Sequence, residues 1–185
     1  MARQFDALAD AHIRFIARQH IFFVGTAAET GRVNVSPKGM DTLRVLGPNR
    51  IVWLNLTGSG NETAGHLARD DRMTLMWCAF DAQPMILRAY GRATMTWRGT
   101  PGWDAAAAPF PPTPGARQVY DLTIDLVQTS CGYAVPFFAH EGPRETLRDW
   151  AAPREDAGSL PAYWAERNAV TIDGNPAAPP GDAAE

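Results

Sequence analysis

The sequence predicts a mainly β protein, a barrel or closed sheet with flanking helices, built as one domain over residues 1–175. Three observations carry that expectation. At least six segments have strand composition or period-two alternation, short turns join them, and no strand–helix–strand repeat appears. A chain of 185 residues is long enough for one full core and not for an obvious second one. Its 45% hydrophobic and 20% charged content is ordinary for a globular protein.

Taken in order, residues 4–19 carry Phe5, Leu8, His12, Ile13, Phe15 and Ile16 at the spacing of an amphipathic helix. Ile21 to Val24 is a short run of β-formers, and the turn Glu29-Thr30-Gly31 leads to a second strand, so residues 21–37 read as a hairpin. In that second strand Asn34 and Ser36 share one face and Val33 and Val35 the other. Pro37 has no N–H and is expected to end ladder pairing, leaving Lys38 and Gly39 at a strand end. Thr42–Leu46 and Ile51–Leu56, joined by Gly47-Pro48-Asn49-Arg50, form a second hairpin.

The loop Thr57-Gly58-Ser59-Gly60-Asn61 then opens a helix expected over 62–70, with Ser59 or Asn61 as its cap. Met73–Phe80 and Met85–Trp97 make a third hairpin around Asp81-Ala82-Gln83-Pro84. Residues 98–117, rich in Pro, Ala and Gly, form either an ordered excursion or a flap, with Trp103 and Phe110 as anchors. Val119–Val127 returns to strand pattern, and 143–151 and 160–169 read as short helices. Residues 176–185 have too little apolar surface to order themselves and are expected to form a disordered tail.

Composition excludes several function classes. A formal charge of −3 gives no basic footprint for nucleic acid. Cys78 and Cys131 lie in no Cys-x-x-Cys spacing, and the four histidines form no ligand pattern, so neither a disulfide framework nor a metal site is expected. No apolar run reaches the roughly 20 residues of a spanning helix, and the N-terminus lacks the order of a signal peptide, so a cytoplasmic protein without membrane contact is expected.

The stretch from Arg32 to Arg69 concentrates the candidate chemistry. Its polar strand end, its Gly- and hydroxyl-rich loop and the following helix N-terminus could together hold a phosphorylated ligand. Of seventeen basic residues sixteen are arginine, and the single lysine, Lys38, sits in this stretch. A lysine offers a compact three-donor charge that an arginine fork does not mimic. His66 reads as packed or solvent-facing rather than phosphate-binding. Trp53, Trp77 and Trp97 read as core or contacts between copies, and Cys131 as inert packing.

Val33 to Gly39, Trp53 to Leu67, Ile86 to Ala93, Thr129 to Pro136 and the tail around Asn168 to Gly174 together resemble the pyridoxamine 5′-phosphate oxidase-like family of FMN-binding split β-barrels. The resemblance runs from about residue 20 to 175. It implies an FMN-dependent oxidoreductase acting on a small molecule, and a homodimer with cofactor at the subunit interface. It would place Ser36, Pro37, Lys38 and Gly39 beside the flavin ring, and Asn55, Thr57, Ser59 and Asn61 along the ribityl chain and phosphate. Arg88, Cys131 and Gly132 would contribute from the partner chain, and no catalytic acid or base is implied. The family's vitamin oxidases carry an Arg-Lys pair in the phosphate loop and end in a basic, Trp- and Arg-containing segment. This chain has Gly60-Asn61 and an acidic tail, so oxidation of pyridoxamine phosphate itself is not expected. The alternatives are a deazaflavin-dependent reductase on the same fold and a non-catalytic flavin or haem carrier.

Overall fold

A computed structural model describes residues 2–179. Its elements are β1 (Arg3–Phe5), α1 (Asp10–Ala17), β2 (Phe22–Thr26), β3 (Asn34–Lys38), β4 (Leu43–Gly47), β5 (Arg50–Leu56) and α2 (Glu62–Leu67). They continue with β6 (Arg72–Cys78), β7 (Ile86–Trp97), α3 (Trp103–Ala107), β8 (Ala116–Ser130), α4 (Thr146–Asp156) and α5 (Leu160–Arg167). The strands form one antiparallel sheet in the order β3-β2-β6-β7-β8-β5-β4, with β1 added beside β8. No helix among the described residues is long and apolar enough to cross a membrane.

The sheet rolls on itself without sealing. Phe22 of β2 and Trp53 of β5, distant in the strand order, meet with ring centroids 6.1 Å apart. The edge strands β3 and β4 do not pair, so the result is a split barrel. A four-residue link joins those two edges; its Met40 and Asp41 take left-handed φ values of 61° and 55°, and the Thr42 hydroxyl donates to Gly39 O at 2.7 Å. Inside the roll lie Val24, Trp53, Leu75, Trp77, Leu87, Tyr120 and Leu122, with Phe15 and Ile16 of α1 packed on them. The three tryptophans read as core are all buried.

Several expectations need correction. The helix expected over 4–19 starts only at Asp10, because residues 3–5 pair instead with β8. β8 runs on past the end of β5, and β1 supplies hydrogen-bond partners for Val127 to Thr129. Pro37 does not end the ladder; it stands opposite Phe23 within β3, tolerated because β3 is an edge strand. Asn61 sits at the N-cap of α2, but its side chain makes no cap bond. The 98–117 segment is ordered: α3 and Phe110 pack on Val52, Leu54 and Val119. β8 already begins at Ala116, and α4 runs five residues beyond the expected 151. The tail is not free from 176 onward. Ala177 is 3% exposed, donates its N–H to Ala169 O and accepts from Asn61 Nδ2, while Val170 and Pro176 form a β-bridge. The remainder of the expected tail, 180–185, lies outside the described residues.

At Gly91 the backbones of β7 and β8 approach closely. The register slips by one residue there, and a Cβ on Gly91 would stand 2.0 Å from Thr123 O and 2.9 Å from its carbonyl carbon. Gly91→Ala is therefore expected to cost about 3 kcal/mol, read as a lower urea midpoint at unchanged slope.

Candidate functional site

Where the barrel fails to seal, a cleft of about 490 Å³ opens between β3, the end of β5, the loop 58–61 and the chain near Ile172. The alternation in β3 explains its polarity. Val35 points outward, 63% exposed, so Asn34, Ser36 and Lys38 turn inward and line the cleft. Asn34 and Ser36 hydrogen-bond each other at 3.1 Å.

Beneath them runs a ladder of buried amides. Lys38 Nζ donates to Asn55 Oδ1 at 3.5 Å, and Asn55 Nδ2 donates to Gln118 Oε1 at 2.6 Å. Gln118 Nε2 donates to Asn61 Oδ1 at 3.1 Å, and Asn61 Nδ2 to Ala177 O at 2.7 Å. Each buried amide thus has both ends satisfied, which fixes the floor of the cleft. The Asn61 side chain is spent in this ladder, which is why it does not cap α2.

Two cations face the cleft with no carboxylate partner among the described residues. Lys38 also lies 5.5 Å from the centroid of the Trp53 ring, a cation–π contact. Burial pushes its ammonium down to about 8, and the nearby Arg117 guanidinium adds to the fall. Arg117 is 2% exposed and donates only to neutral oxygens: Gln118 Oε1 at 3.0 Å, Asn168 Oδ1 at 2.5 Å and Gly60 O at 3.2 Å. Burial lowers it to about 10. The other charges on the rim are engaged. Arg32 pairs with Asp173, and the Glu62 carboxylate accepts from Ile172 N–H at 3.2 Å.

Of the residues singled out in the sequence, Ser36, Lys38, Asn55, Ser59 and Asn61 converge on this cleft. Pro37 faces outward from β3, and Gly39 begins the turn after it. Thr57 is buried to the side; it donates to Gly115 O at 2.8 Å and accepts from Trp164 Nε1 at 2.9 Å, tying α5 to β5. Arg88, Cys131 and Gly132 are not brought to the cleft within one chain. Arg88 stands on the outer face in register with Pro37, Phe23, Met76 and Gln128, and bonds Ser130 Oγ at 3.4 Å. Cys131 is exposed, and Gly132 packs against Met85. His66 is buried and shares a hydrogen bond with Thr26 at 3.1 Å, the packed reading.

Sequence reasoning missed Arg117, Gln118 and Asn34. Arg117 escapes because of a β-bulge: Asn55 stands opposite Gln118 and Leu56 opposite Ala116, so Arg117 is the extra residue and both it and Gln118 turn inward. Strict alternation would have sent one of them to the opposite face, beside Val119 under α3.

Residues 8–131 match the sequence family described as pyridoxamine 5′-phosphate oxidase. The chain belongs to the pyridoxamine 5′-phosphate oxidase family. A relative from Aspergillus flavus, the pyridoxamine 5′-phosphate oxidase family protein ustO, is 33% identical over 189 residues, spanning 93% of this chain and 76% of its own length. Among solved structures, a Lactobacillus delbrueckii protein named for the same oxidase aligns with TM-score 0.54 at 18% identity, covering 66% of this chain and 94% of its own. A HupZ variant from Group A Streptococcus aligns with TM-score 0.53 at 14% identity, covering 66% and 98%. At such identities the two structures establish a shared split-barrel fold and nothing of the chemistry.

The Lys38 ammonium gives the oxidase-family cleft a pH signature. An anion lying against Lys38 favours its charged form and raises its bound-state pKa. Affinity should then be level below pH 8 and fall by up to tenfold per pH unit above it, as the free lysine loses its proton. Titration with an anionic probe such as FMN between about pH 7 and 9 checks this, and Lys38→Met should flatten the curve.

Proposed function

We propose that the protein is an FMN-dependent oxidoreductase acting on a small molecule, with the cofactor seated in the cleft at the barrel's open seam. The observation that carries this reading is the convergence of Ser36, Lys38, Asn55, Ser59 and Asn61 on one cavity in a chain of this family. Its volume lies within the roughly 300–1,000 Å³ usual for small-molecule sites. The residues fit the group. Hydroxyls and amides of Ser36, Asn34 and Ser59 suit a polyhydroxy chain, and two cations without carboxylate partners suit a phosphate or an electron-rich ring edge.

Once bound, flavin supplies the two-electron redox chemistry. The chain's own residues orient and polarise. Lys38, held over Trp53 and against Asn55, places a positive charge where it would stabilise an anionic reduced ring. The amide ladder under it keeps those donors fixed, so little reorganisation accompanies reaction. The uncharged loop 57–61 speaks against pyridoxamine phosphate as the substrate.

In this reading the working unit is a homodimer. The outer face of β3 exposes Val35, and half-buried Phe23, Met76, Arg88 and Tyr90 extend that face across the sheet. A second copy set there would cover Val35 and bring Arg88 and the 131–132 turn toward a neighbouring cleft.

The absorption spectrum of purified protein and a fluorescence titration with FMN test the cofactor. Yellow protein, or stoichiometric uptake with quenched emission, is expected, and a deazaflavin added in competition should bind more weakly. Colourless protein that leaves FMN emission unchanged overturns the reading. Val35→Glu, which puts charge on the outer face without touching the cleft, should give monomers by sedimentation and lower FMN affinity about tenfold or more.

A further inference from the structure

We propose that Arg117 is the phosphate anchor of this site, supplying from the start of β8 the positive charge that the loop 57–61 lacks. The inference rests on the flavin reading and assigns the cofactor's anionic end to one buried side chain.

The loop itself, Thr57-Gly58-Ser59-Gly60-Asn61, contains no cation. Arg117 lies directly against it. Its Nη2 donates to Gly60 O, and through Asn168, whose Nδ2 donates to Gly58 O at 3.2 Å, it holds a second carbonyl of the same loop. A guanidinium carries five N–H groups, and three hydrogen bonds are made, one from each nitrogen. One hydrogen on each terminal nitrogen is left over at a residue that lines the cleft.

Charge accounting makes those free donors informative. A buried cation without a counter-ion is costly, and proteins ordinarily supply a carboxylate. Among the described residues the acidic groups at the cleft are engaged by other donors: Glu62 accepts from Ile172 N–H, and Asp173 accepts from the Arg32 backbone and side chain. Arg117 keeps three neutral acceptors, and its charge bears on Lys38 across the cleft. A dianion at the free Arg117 N–H groups offsets that charge and, with it, the repulsion of Lys38. A phosphate monoester fits that description; a neutral ligand does not. The bulge at Arg117 has the matching consequence, since it turns inward a side chain that a regular strand would have sent to the opposite face.

The competing account is that Arg117 merely clamps the loop. Asn168→Asp separates the two, because it sets a carboxylate at the place of the Oδ1 that accepts from Nη1 and neutralises the guanidinium in situ. Asn168→Ala loses the same Gly58 contact without adding charge and serves as its control. FMN and riboflavin are titrated into wild type, both Asn168 variants and Arg117→Lys.

An anchor requires Asp to lower FMN affinity roughly tenfold more than Ala does, with riboflavin, which lacks phosphate, affected alike by both. Arg117→Lys keeps charge but loses the fork and should fall between. Equal losses for FMN and riboflavin, or no difference between Asp and Ala, overturn the proposal and leave a clamp. If wild type binds neither flavin, the cofactor reading fails on its own, and thermal melts with inorganic pyrophosphate decide the anchor. A rise in Tm in wild type that Asn168→Asp abolishes supports it; no rise in wild type overturns it.

Discussion

The edge of β3 pairs with β2 on one side only, and among the described residues its other side meets no strand although the sheet has curled far enough to bring β5 close. An edge in that position would ordinarily invite pairing with another chain or collapse onto the core. The side chains of the strand oppose closure: the inward residues of β3 are Asn34, Ser36 and Lys38, which cannot join the aromatic interior. The seam therefore stays open and polar, and the cleft is the space that an eight-stranded roll leaves when one junction carries the wrong side chains for a core.

Holding polar groups at such a junction requires a scaffold that satisfies them without sealing the space. The ladder from Lys38 through Asn55, Gln118 and Asn61 to Ala177 does this with neutral amides, each of which can donate at one end and accept at the other. A carboxylate anywhere in the ladder would have paired with Lys38 or Arg117 and cancelled the charge. Neutral partners tolerate a cation and leave it available. The cost is a folded state carrying two depressed basic groups, one at about 8 and the other at about 10, which any bound anion offsets. Stability and ligand affinity are in this sense one quantity, and both should be read with ligand concentration stated.

Much of this was legible in the residues alone. The alternation Val33-Asn34-Val35-Ser36 announced a strand with one polar face, the loop 57–61 announced close backbone approach, and the lone lysine marked the junction between them. What escaped did so for physical reasons. Arg117 sits at a bulge, where period-two reasoning assigns the wrong face. β1 forms because β8 outruns β5, a fact about lengths of distant strands that no local pattern holds. Pro37 breaks ladders in the middle of a sheet and not at its edge, and the position of β3 in the strand order is a tertiary property. Thr57 looked like a ligand group and is instead a bracket for Trp164, because a hydroxyl at a strand end serves either purpose equally well.

The C-terminal segment shows how a stretch that leaves its larger apolar side chains, Val170 and Ile172, exposed becomes ordered. It builds no core of its own; it completes the site's surroundings. Thr171 fills the space over Gly65, where a Cβ would come 2.3 Å from its methyl group, and Ala177 occupies a small hollow beside Ala64 and Trp97. Asp173 ties the segment to Arg32 at the start of β3, Ile172 N–H ties it to Glu62 on α2, and Asn168 ties its beginning to Arg117. Each contact alone is weak, and the exposed ion pair adds little. Together they bridge both sides of the seam with one short segment, so that β3 and the loop before α2 are held at a defined separation by a piece of chain that neither strand pairing nor core packing supplies.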